Sequence, residues 1–124
     1  MSERFAVLDH DWPSPHRDLL LQSGGILRAW RLPAEFDACA PVLAEANSDH
    51  RLEYLDYEGP VSGERGRVKR WDSGRLTWLL RGTGHAEFVL EGQHLTGRFA
   101  IHQLEGTLWR LQWISPHQST SDFE

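Results

Sequence analysis

Hydrophobic residues along this chain form short runs that alternate with glycine-containing turn sequences. The turn sequences are Ser23-Gly24-Gly25, Glu58-Gly59-Pro60, Ser62-Gly63, Asp72-Ser73-Gly74, Gly82-Thr83-Gly84, Glu91-Gly92 and Glu105-Gly106. Short runs between frequent turns are typical of antiparallel hairpins rather than of strands that alternate with long helices. The pattern predicts a mainly β fold, a compact antiparallel β-barrel of about seven to eight strands with at most one or two short helices, and its mouth is the expected place for a polar site.

Seven segments carry a strand pattern. They are residues 18–22, 26–32, 68–71, 76–80, 86–90, 96–102 and 108–114. In the last segment Trp109, Leu111 and Trp113 occupy every second position, so this row is expected to face inward. Residues 37–47 are compatible with either a short helix or a strand, and residues 72–74 predict a turn.

A length of 124 residues is enough for one domain with one core. We expect residues 1–114 to form that domain and the polar residues 115–124 to form a flexible tail. The single cysteine, Cys39, is expected in the core, excludes an internal disulfide and favours a reducing compartment. The N-terminus lacks a signal-peptide pattern, and no apolar run approaches the roughly 20 residues of a membrane span. These features predict a cytoplasmic protein without membrane contact, which we expect to be a monomer.

The net charge of −5 argues against a protein that coats nucleic acid non-specifically, because such binding requires clustered positive charge. Basic residues nevertheless gather in one segment, at Arg65, Arg67, Lys69, Arg70 and Arg75. This segment is compatible with binding to the end of a nucleic acid, or with the solvated face of a strand beside a turn. Charge alone leaves that choice open.

Two histidines and one aspartate lie close together in the sequence, at His10, His16 and Asp18. On a strand, His16 and Asp18 project from the same face. Two nitrogen ligands and one oxygen ligand, with positions left for water or substrate, are typical of a hydrolytic or redox-active transition metal rather than of a closed structural zinc site. The alternatives are a chance cluster in a loop and, less favoured, an iron oxygenase site, whose second histidine usually comes from a distant strand.

Five blocks between Phe5 and Ile114 follow one another in a recognisable order. They are His10-Asp11 with His16-Arg17-Asp18, residues 24–30 with Pro33, residues 49–59, Trp71-Asp72-Ser73-Gly74, and Leu95-Thr96-Gly97-Arg98-Phe99. Together these blocks resemble the 3′-phosphoesterase module of bacterial DNA ligase D. Ordered blocks are more specific than the metal triplet alone, so the resemblance favours interpreting the triplet as a metal site.

The resemblance implies a compact β-barrel that uses a divalent metal, with manganese first and zinc or cobalt as further options, to trim 3′ ends of DNA or RNA. Carried over residue by residue, it implies that His10, His16 and Asp18 hold the metal and that His50 and Tyr54 contact the phosphate. An imidazole and a phenol can donate hydrogen bonds to charge that develops on phosphoryl oxygens. The alternatives are that His50 closes a turn and that Tyr54 is an ordinary barrel aromatic.

The implied function is removal of a 3′-phosphate or a 3′-ribonucleoside in DNA end repair. The implied partners are nucleic-acid 3′ ends and a DNA ligase or other end-joining protein. One departure from the family pattern bears on activity, because Leu20 stands where the family has an arginine, and leucine cannot replace a charged, fork-shaped donor beside a phosphate. The chain also begins just before the first histidine block, so the family's upstream arm with its further site residues is expected to be missing. The alternative function is therefore a catalytically degenerate member that binds metal and nucleic-acid ends, or a repair partner, without turnover.

A nearby arginine offers a replacement for the missing one. If Gly24-Gly25 forms a two-residue hairpin turn, Asp18 lies opposite Arg31 and Leu20 lies opposite Ala29. Arg31 would then share the face of His16 and Asp18 and reach the same anion as a third catalytic residue beside His50 and Tyr54. The alternatives are that Arg31 only neutralises Asp18 or points to solvent.

The remaining aromatic and imidazole side chains receive simpler interpretations. Surface positions are expected for His85, His94, His102 and His117. Most of the six tryptophans fall in strand patterns and are expected in the core. Trp12 is the exception, because it lies beside the metal ligands and offers a surface on which a terminal base could stack.

Overall fold

The computed structural model describes residues 3–116, which form nine β-strands and one short 3₁₀ helix. The strands are β1 (Glu3–His10), β2 (His16–Ser23), β3 (Ile26–Pro33), β4 (Val42–Arg51), β5 (Gly59–Pro60), β6 (Arg67–Arg81), β7 (His85–Glu91), β8 (Thr96–Glu105) and β9 (Leu108–Ser115). The 3₁₀ helix spans Leu52–Leu55, between β4 and β5. Among these residues no helix has the length and apolarity needed to cross a membrane.

Eight of the strands close into an antiparallel barrel. Their order is β1-β2-β3-β4-β9-β8-β7-β6, and β6 pairs with β1 to complete the ring, while the two-residue β5 adds to β6. Closure gives every barrel strand two neighbours, which removes the exposed edges that would otherwise pair with other chains. The predicted mainly β barrel with at most one or two short helices is confirmed.

Alternation along the strands creates two separate apolar cores. Side chains from all eight barrel strands fill the interior, among them Phe5, Trp30, Phe88 and Trp109. A second, smaller core lies on the outer face of β1, β2 and β3, beneath the segment that contains the 3₁₀ helix. Its buried residues are Ala6, Leu8, Leu20, Leu27, Ala29, Leu55 and Val68. Because successive residues of a strand point to opposite faces, β1 and β2 each contribute to both cores.

The hairpin between β2 and β3 has the predicted register. Asp18 pairs with Arg31 and Leu20 pairs with Ala29. The turn is made by Gly24 and Gly25, and Gly24 has φ of 63°, a conformation that glycine adopts without a steric penalty. This register places Arg31 on the outer face, beside Asp18.

The turn predicted at residues 72–74 is wrong, because β6 continues through it from Arg67 to Arg81. Instead, the Asp72 carboxylate accepts hydrogen bonds from the backbone N–H groups of Ser73, Gln93, His94 and Leu95, at 2.7 to 3.0 Å. An aspartate that resembles a turn residue in the sequence therefore organises a different turn, the one between β7 and β8.

The remaining comparisons between sequence and structure concern β4, β1, Cys39 and the C-terminal residues. The ambiguous segment 37–47 contributes to β4, which pairs with β3 and β9, and β1 was not predicted at all. Cys39 is exposed rather than part of the core. Ser115 ends β9, whereas residues 117–124, which include His117 and most of the predicted tail, lie outside the described residues.

Candidate metal centre and adjoining cleft

The predicted metal ligands meet at the paired ends of β1 and β2. His10 is the last residue of β1, His16 is the first of β2, and the register places them directly opposite each other. Asp18 follows two residues later on the same face of β2, which is also the face of Leu20 and the outer core. The cluster therefore lies on the outer face of the barrel wall, at the ends of β1 and β2, whereas the sequence predicted a site at the barrel mouth. The alternation of the strands directs these side chains outward.

The donor atoms of the three residues are close enough to share one ion. Nδ1 of His10 lies 3.0 Å from Oδ2 of Asp18, and Nε2 of His16 lies 3.1 Å from Oδ1 of Asp18. One ligand atom from each residue falls within 4.8 Å of the others. Each carboxylate oxygen thus faces one imidazole nitrogen.

Backbone carbonyls orient both imidazole rings. Nδ1 of His16 donates a hydrogen bond to the Ser14 carbonyl at 2.8 Å, and Nε2 of His10 donates to the Arg65 carbonyl at 2.8 Å. In a neutral ring, the nitrogen that faces Asp18 then carries the lone pair. Nε2 of His16 is buried, and although it lies 3.1 Å from Oδ1 of Asp18 it makes no hydrogen bond of acceptable geometry among residues 3–116. A lone pair directed at a carboxylate is a poor arrangement without a cation and a good one around a divalent metal.

The electrostatics of the cluster favour an ionised carboxylate. Burial opposes the charge of Asp18, but His16 and His10 outweigh it and hold the pKa of Asp18 below its usual value. Burial likewise opposes protonation of His16, yet the neighbouring Asp18 carboxylate and the Ser14 carbonyl raise the pKa of His16. The Asp18 carboxylate therefore stays ionised and supplies a negative charge to which a cation can bind.

A cleft of about 430 Å³ adjoins the cluster. It is bordered by His10, Asp18, Arg31, His50 and Tyr54, whereas the buried His16 borders a neighbouring cavity of about 540 Å³ that His10 also lines. The rings of His50 and Tyr54 are in edge contact, with centroids 5.6 Å apart. Nδ1 of His50 donates to the Ser48 carbonyl at 2.9 Å, so its other nitrogen is free for the cleft. The structure thus brings the predicted site residues together around one cleft, while their roles stay predictions.

Among residues 3–116, Arg31 has no ion-pair partner for its charge. Its register neighbours are Asp18 on β2 and Glu45 on β4, yet within residues 3–116 no carboxylate lies within 4.0 Å of its guanidinium nitrogens. Its Nε is buried and lacks a hydrogen-bond partner in the same part of the chain. A buried, unpaired donor is costly unless an anion completes it. The simple counter-ion interpretation of Arg31 finds no ion pair to support it.

Leu20 is fully buried in the outer core. It lies between Ala6 on β1 and Ala29 on β3, and Leu55 of the 3₁₀ helix belongs to the same core. The position that carries an arginine in the family pattern is therefore an apolar contact in this protein, and the arginines that border the cleft are Arg31, Arg51 and Arg65.

The loop 61–66 supplies the carbonyl that orients His10, a role that was not predicted from the sequence. Its ends are joined by a hydrogen bond from Val61 N–H to the Gly66 carbonyl at 2.8 Å, and the Asp11 carboxylate accepts from Arg67 N–H at 2.8 Å. Gly66 has φ of 79° and packs against Asp11 and Trp12. The glycines of this segment indicated a turn, but nothing in the local sequence indicated that it packs beside the metal ligands.

The chain is similar to one family of known proteins. A family profile described as "DNA Ligase D 3′-phosphoesterase domain" matches residues 8–103. The chain is 32% identical over 129 aligned residues to the multifunctional non-homologous end joining DNA repair protein LigD of Mycobacterium tuberculosis, covering 97% of the chain and 17% of that protein. It is 35% identical over 121 residues to the multifunctional non-homologous end joining protein LigD of Pseudomonas aeruginosa, covering 90% of the chain and 14% of that protein. The chain thus spans about a sixth of the length of these relatives.

Proposed function

The chain belongs to the DNA ligase D 3′-phosphoesterase domain family, and from this membership and the geometry of the cleft we propose that it is a metal-dependent 3′-phosphoesterase. Its role lies in DNA end repair, where it removes a 3′-phosphate or a 3′-ribonucleoside from DNA or RNA and leaves a hydroxyl that can be ligated. Its proposed partners are nucleic-acid 3′ ends and a DNA ligase or other end-joining protein.

The observation that carries the proposal is the arrangement of the two imidazoles around one carboxylate. His10, His16 and Asp18 would hold a divalent metal, with manganese as the first choice and zinc or cobalt as alternatives. Such an ion fits the buried Nε2 of His16, which makes no hydrogen bond within residues 3–116, and the far nitrogens of both rings, which are bound to backbone carbonyls. When bound, the ion supplies Lewis-acid polarisation of a phosphoryl oxygen or of water.

The other residues of the cleft act on the phosphate itself. The guanidinium of Arg31, which has no ion-pair partner among the described residues, binds phosphate oxygens and replaces the arginine of the family pattern at Leu20. His50 and Tyr54 add hydrogen bonds that strengthen as negative charge grows on those oxygens. All three side chains border the cleft that Asp18 also lines, and this shared cleft is the basis for assigning them to one phosphate.

A manganese titration tests this function directly. The purified protein is titrated with Mn²⁺ by calorimetry, and phosphate release is measured from an oligonucleotide that carries a 3′-phosphate. We expect a single metal site and phosphate release that requires the metal and stops on addition of a chelator. Parallel substrates with a terminal ribonucleoside, and DNA and RNA versions of each, establish which ends are accepted. Absence of release under saturating Mn²⁺ would refute the enzymatic proposal.

The burial of Leu20 favours a second candidate function. In this second candidate, the apolar residue at the family's arginine position marks a non-catalytic member that binds metal and nucleic-acid ends or a repair partner. In that case the titration shows metal binding and oligonucleotide binding, with no phosphate released from any of the substrates.

Replacing Arg31 tests whether its guanidinium binds the phosphate in place of the arginine that the family has at the position of Leu20. Because hydrogen bonds to charged groups are worth about 1.5–3 kcal/mol, Arg31→Gln is expected to lower kcat/KM for phosphate release by about 10- to 100-fold. The affinity for Mn²⁺ should change by less than about threefold, because Arg31 is not a ligand. Arg98→Gln is the matched control, since Arg98 lies on β8 and pairs with Glu87. An unchanged rate in Arg31→Gln would rule out this role.

Replacing Gly66 tests the carbonyl that orients His10. An added methyl group would approach Oδ1 of Asp11 to 2.2 Å and Cβ of Trp12 to 2.5 Å, so Gly66→Ala must displace the loop that carries Arg65. We expect the affinity for Mn²⁺ to fall about tenfold, as is typical when the group that orients a metal ligand is lost. Gly25→Ala is the control, because a methyl group there meets no atom within 4 Å. Equal affinities of the two variants would show that the Arg65 carbonyl does not support the site.

A further inference from the structure

Arg65 is anchored beside the metal ligands by contacts at both ends of the residue. Its carbonyl accepts the hydrogen bond from His10, which ties the backbone to a proposed ligand. Its Nε donates to the Ser62 carbonyl at 2.7 Å, and one terminal nitrogen donates to the Ser62 hydroxyl at 3.2 Å. Within residues 3–116 no carboxylate lies within 4.0 Å of this guanidinium. The charge is thus held in a defined place and is free to bind an anion.

Arg65 and Arg31 border the same cleft from different sides. Arg65 approaches from the loop that packs on the segment after β1, whereas Arg31 belongs to β3. In the sheet, β1 and β2 carry the ligands and lie between β6, which follows the Arg65 loop, and β3, which carries Arg31. Two separated cations around one metal centre suit a ligand with two anionic groups better than a ligand with one.

Trp12 completes this side of the cleft. Its side chain borders the cleft, and the residue is 43% exposed, although its backbone is packed against Gly66. Proteins that bind single-stranded nucleic acids often combine an exposed aromatic ring with a nearby cation. A base stacks on the ring, and the backbone phosphate binds the cation. No other tryptophan of residues 3–116 is exposed to a comparable degree.

We propose that Trp12 and Arg65 form a nucleotide subsite next to the scissile phosphate. Arg65 binds the phosphodiester that links the last two nucleotides, and Trp12 stacks on the terminal base, while Arg31 binds the terminal phosphate. The subsite rests on the proposed phosphoesterase function and specifies its substrate class. The protein acts on a 3′ terminus whose last base can stack on Trp12, and it discriminates against a free phosphomonoester, which lacks both the base and the neighbouring phosphodiester.

A two-by-two comparison of protein and substrate tests the role of Arg65. The proteins are the parent and Arg65→Gln, and the substrates are a 3′-phosphorylated oligothymidylate and the same strand with an uncharged methylphosphonate at its last internucleotide link. The parent should lose about tenfold in kcat/KM on the uncharged link. Arg65→Gln should be about tenfold slower on the ordinary strand and should no longer distinguish the two substrates. The backbone carbonyl that binds His10 is retained, so the affinity for Mn²⁺ should be preserved.

The same design tests Trp12 with a strand whose terminal nucleotide lacks its base. Stacking is worth about 5- to 100-fold per base, so the parent should lose that factor on the abasic strand and Trp12→Leu should not distinguish the two strands. Arg98→Gln, on the outer face of β8, should behave as the parent in every comparison. A parent that is indifferent to the methylphosphonate, or a variant that still discriminates, would overturn the proposed subsite.

Failure of the subsite can be separated from failure of the enzymatic function. If no phosphate is released, the phosphoesterase proposal fails, and the comparison is repeated as binding of labelled strands measured by fluorescence anisotropy with Mn²⁺ present. A roughly tenfold weaker binding of the uncharged strand to the parent, absent in Arg65→Gln, supports the subsite without catalysis. Equal binding of both strands by the parent refutes it.

Discussion

Asp18→Asn is expected to abolish measurable Mn²⁺ binding and to lower phosphate release by about 1000-fold, or about 4 kcal/mol in the activation free energy. Asp18 is the only anionic member of the proposed ligand set, and its two oxygens face the two imidazoles at 3.0 and 3.1 Å. Asparagine preserves the shape of the side chain but removes the charge and turns an amide group toward one of the rings. The change therefore acts on the metal while it leaves the packing of β2 nearly intact.

Calorimetry with Mn²⁺ and a phosphate-release assay check this expectation, with circular dichroism to confirm that the variant is folded. Asp9→Asn is the matched control, because Asp9 lies on the neighbouring strand, pairs with Arg17 at 2.8 Å and is not among the three ligands. The control should bind Mn²⁺ as the parent does. Normal Mn²⁺ affinity in a folded Asp18→Asn protein would remove Asp18 from the metal site.

Asp72→Ala is expected to cost about 3–5 kcal/mol in the free energy of unfolding, a large part of the stability of a typical domain. The buried carboxylate accepts four backbone N–H groups, three of them from residues 93–95 at the turn between β7 and β8. Alanine leaves these donors without their acceptor in a site where Gly92 and Phe5 pack closely around the carboxylate. Each buried donor left without a partner carries a desolvation penalty.

Urea denaturation of the parent and the variant measures this loss as a shift of the transition midpoint. Asp56→Ala serves as the control, because Asp56 is an exposed aspartate whose ion pair with Arg4 lies at the surface, and it should leave the midpoint nearly unchanged. A midpoint of Asp72→Ala close to that of the control would mean that water replaces the carboxylate at the turn. Asp72→Asn should fall between the two, since it retains one acceptor oxygen.

Local patterns were sufficient to predict several parts of the molecule. Frequent turns between short apolar runs predicted the antiparallel barrel, and two adjacent glycines predicted the register that pairs Asp18 with Arg31. These features depend on residues that are near one another in the chain, so their consequences can be followed without knowing the rest of the fold. The same reasoning failed at residues 72–74, where Asp72 serves a distant turn rather than its own.

The fold class, the family and the candidate ligands could all be predicted from the sequence, because each depends on short blocks of neighbouring residues. The folded structure was needed to show that the ligands lie on the outer wall of the barrel and that Arg31 has no ion-pair partner among the described residues. It also decided that the Arg65 carbonyl orients His10, a contact between residues 55 positions apart. Such contacts depend on the closure of β6 against β1, which no local pattern encodes.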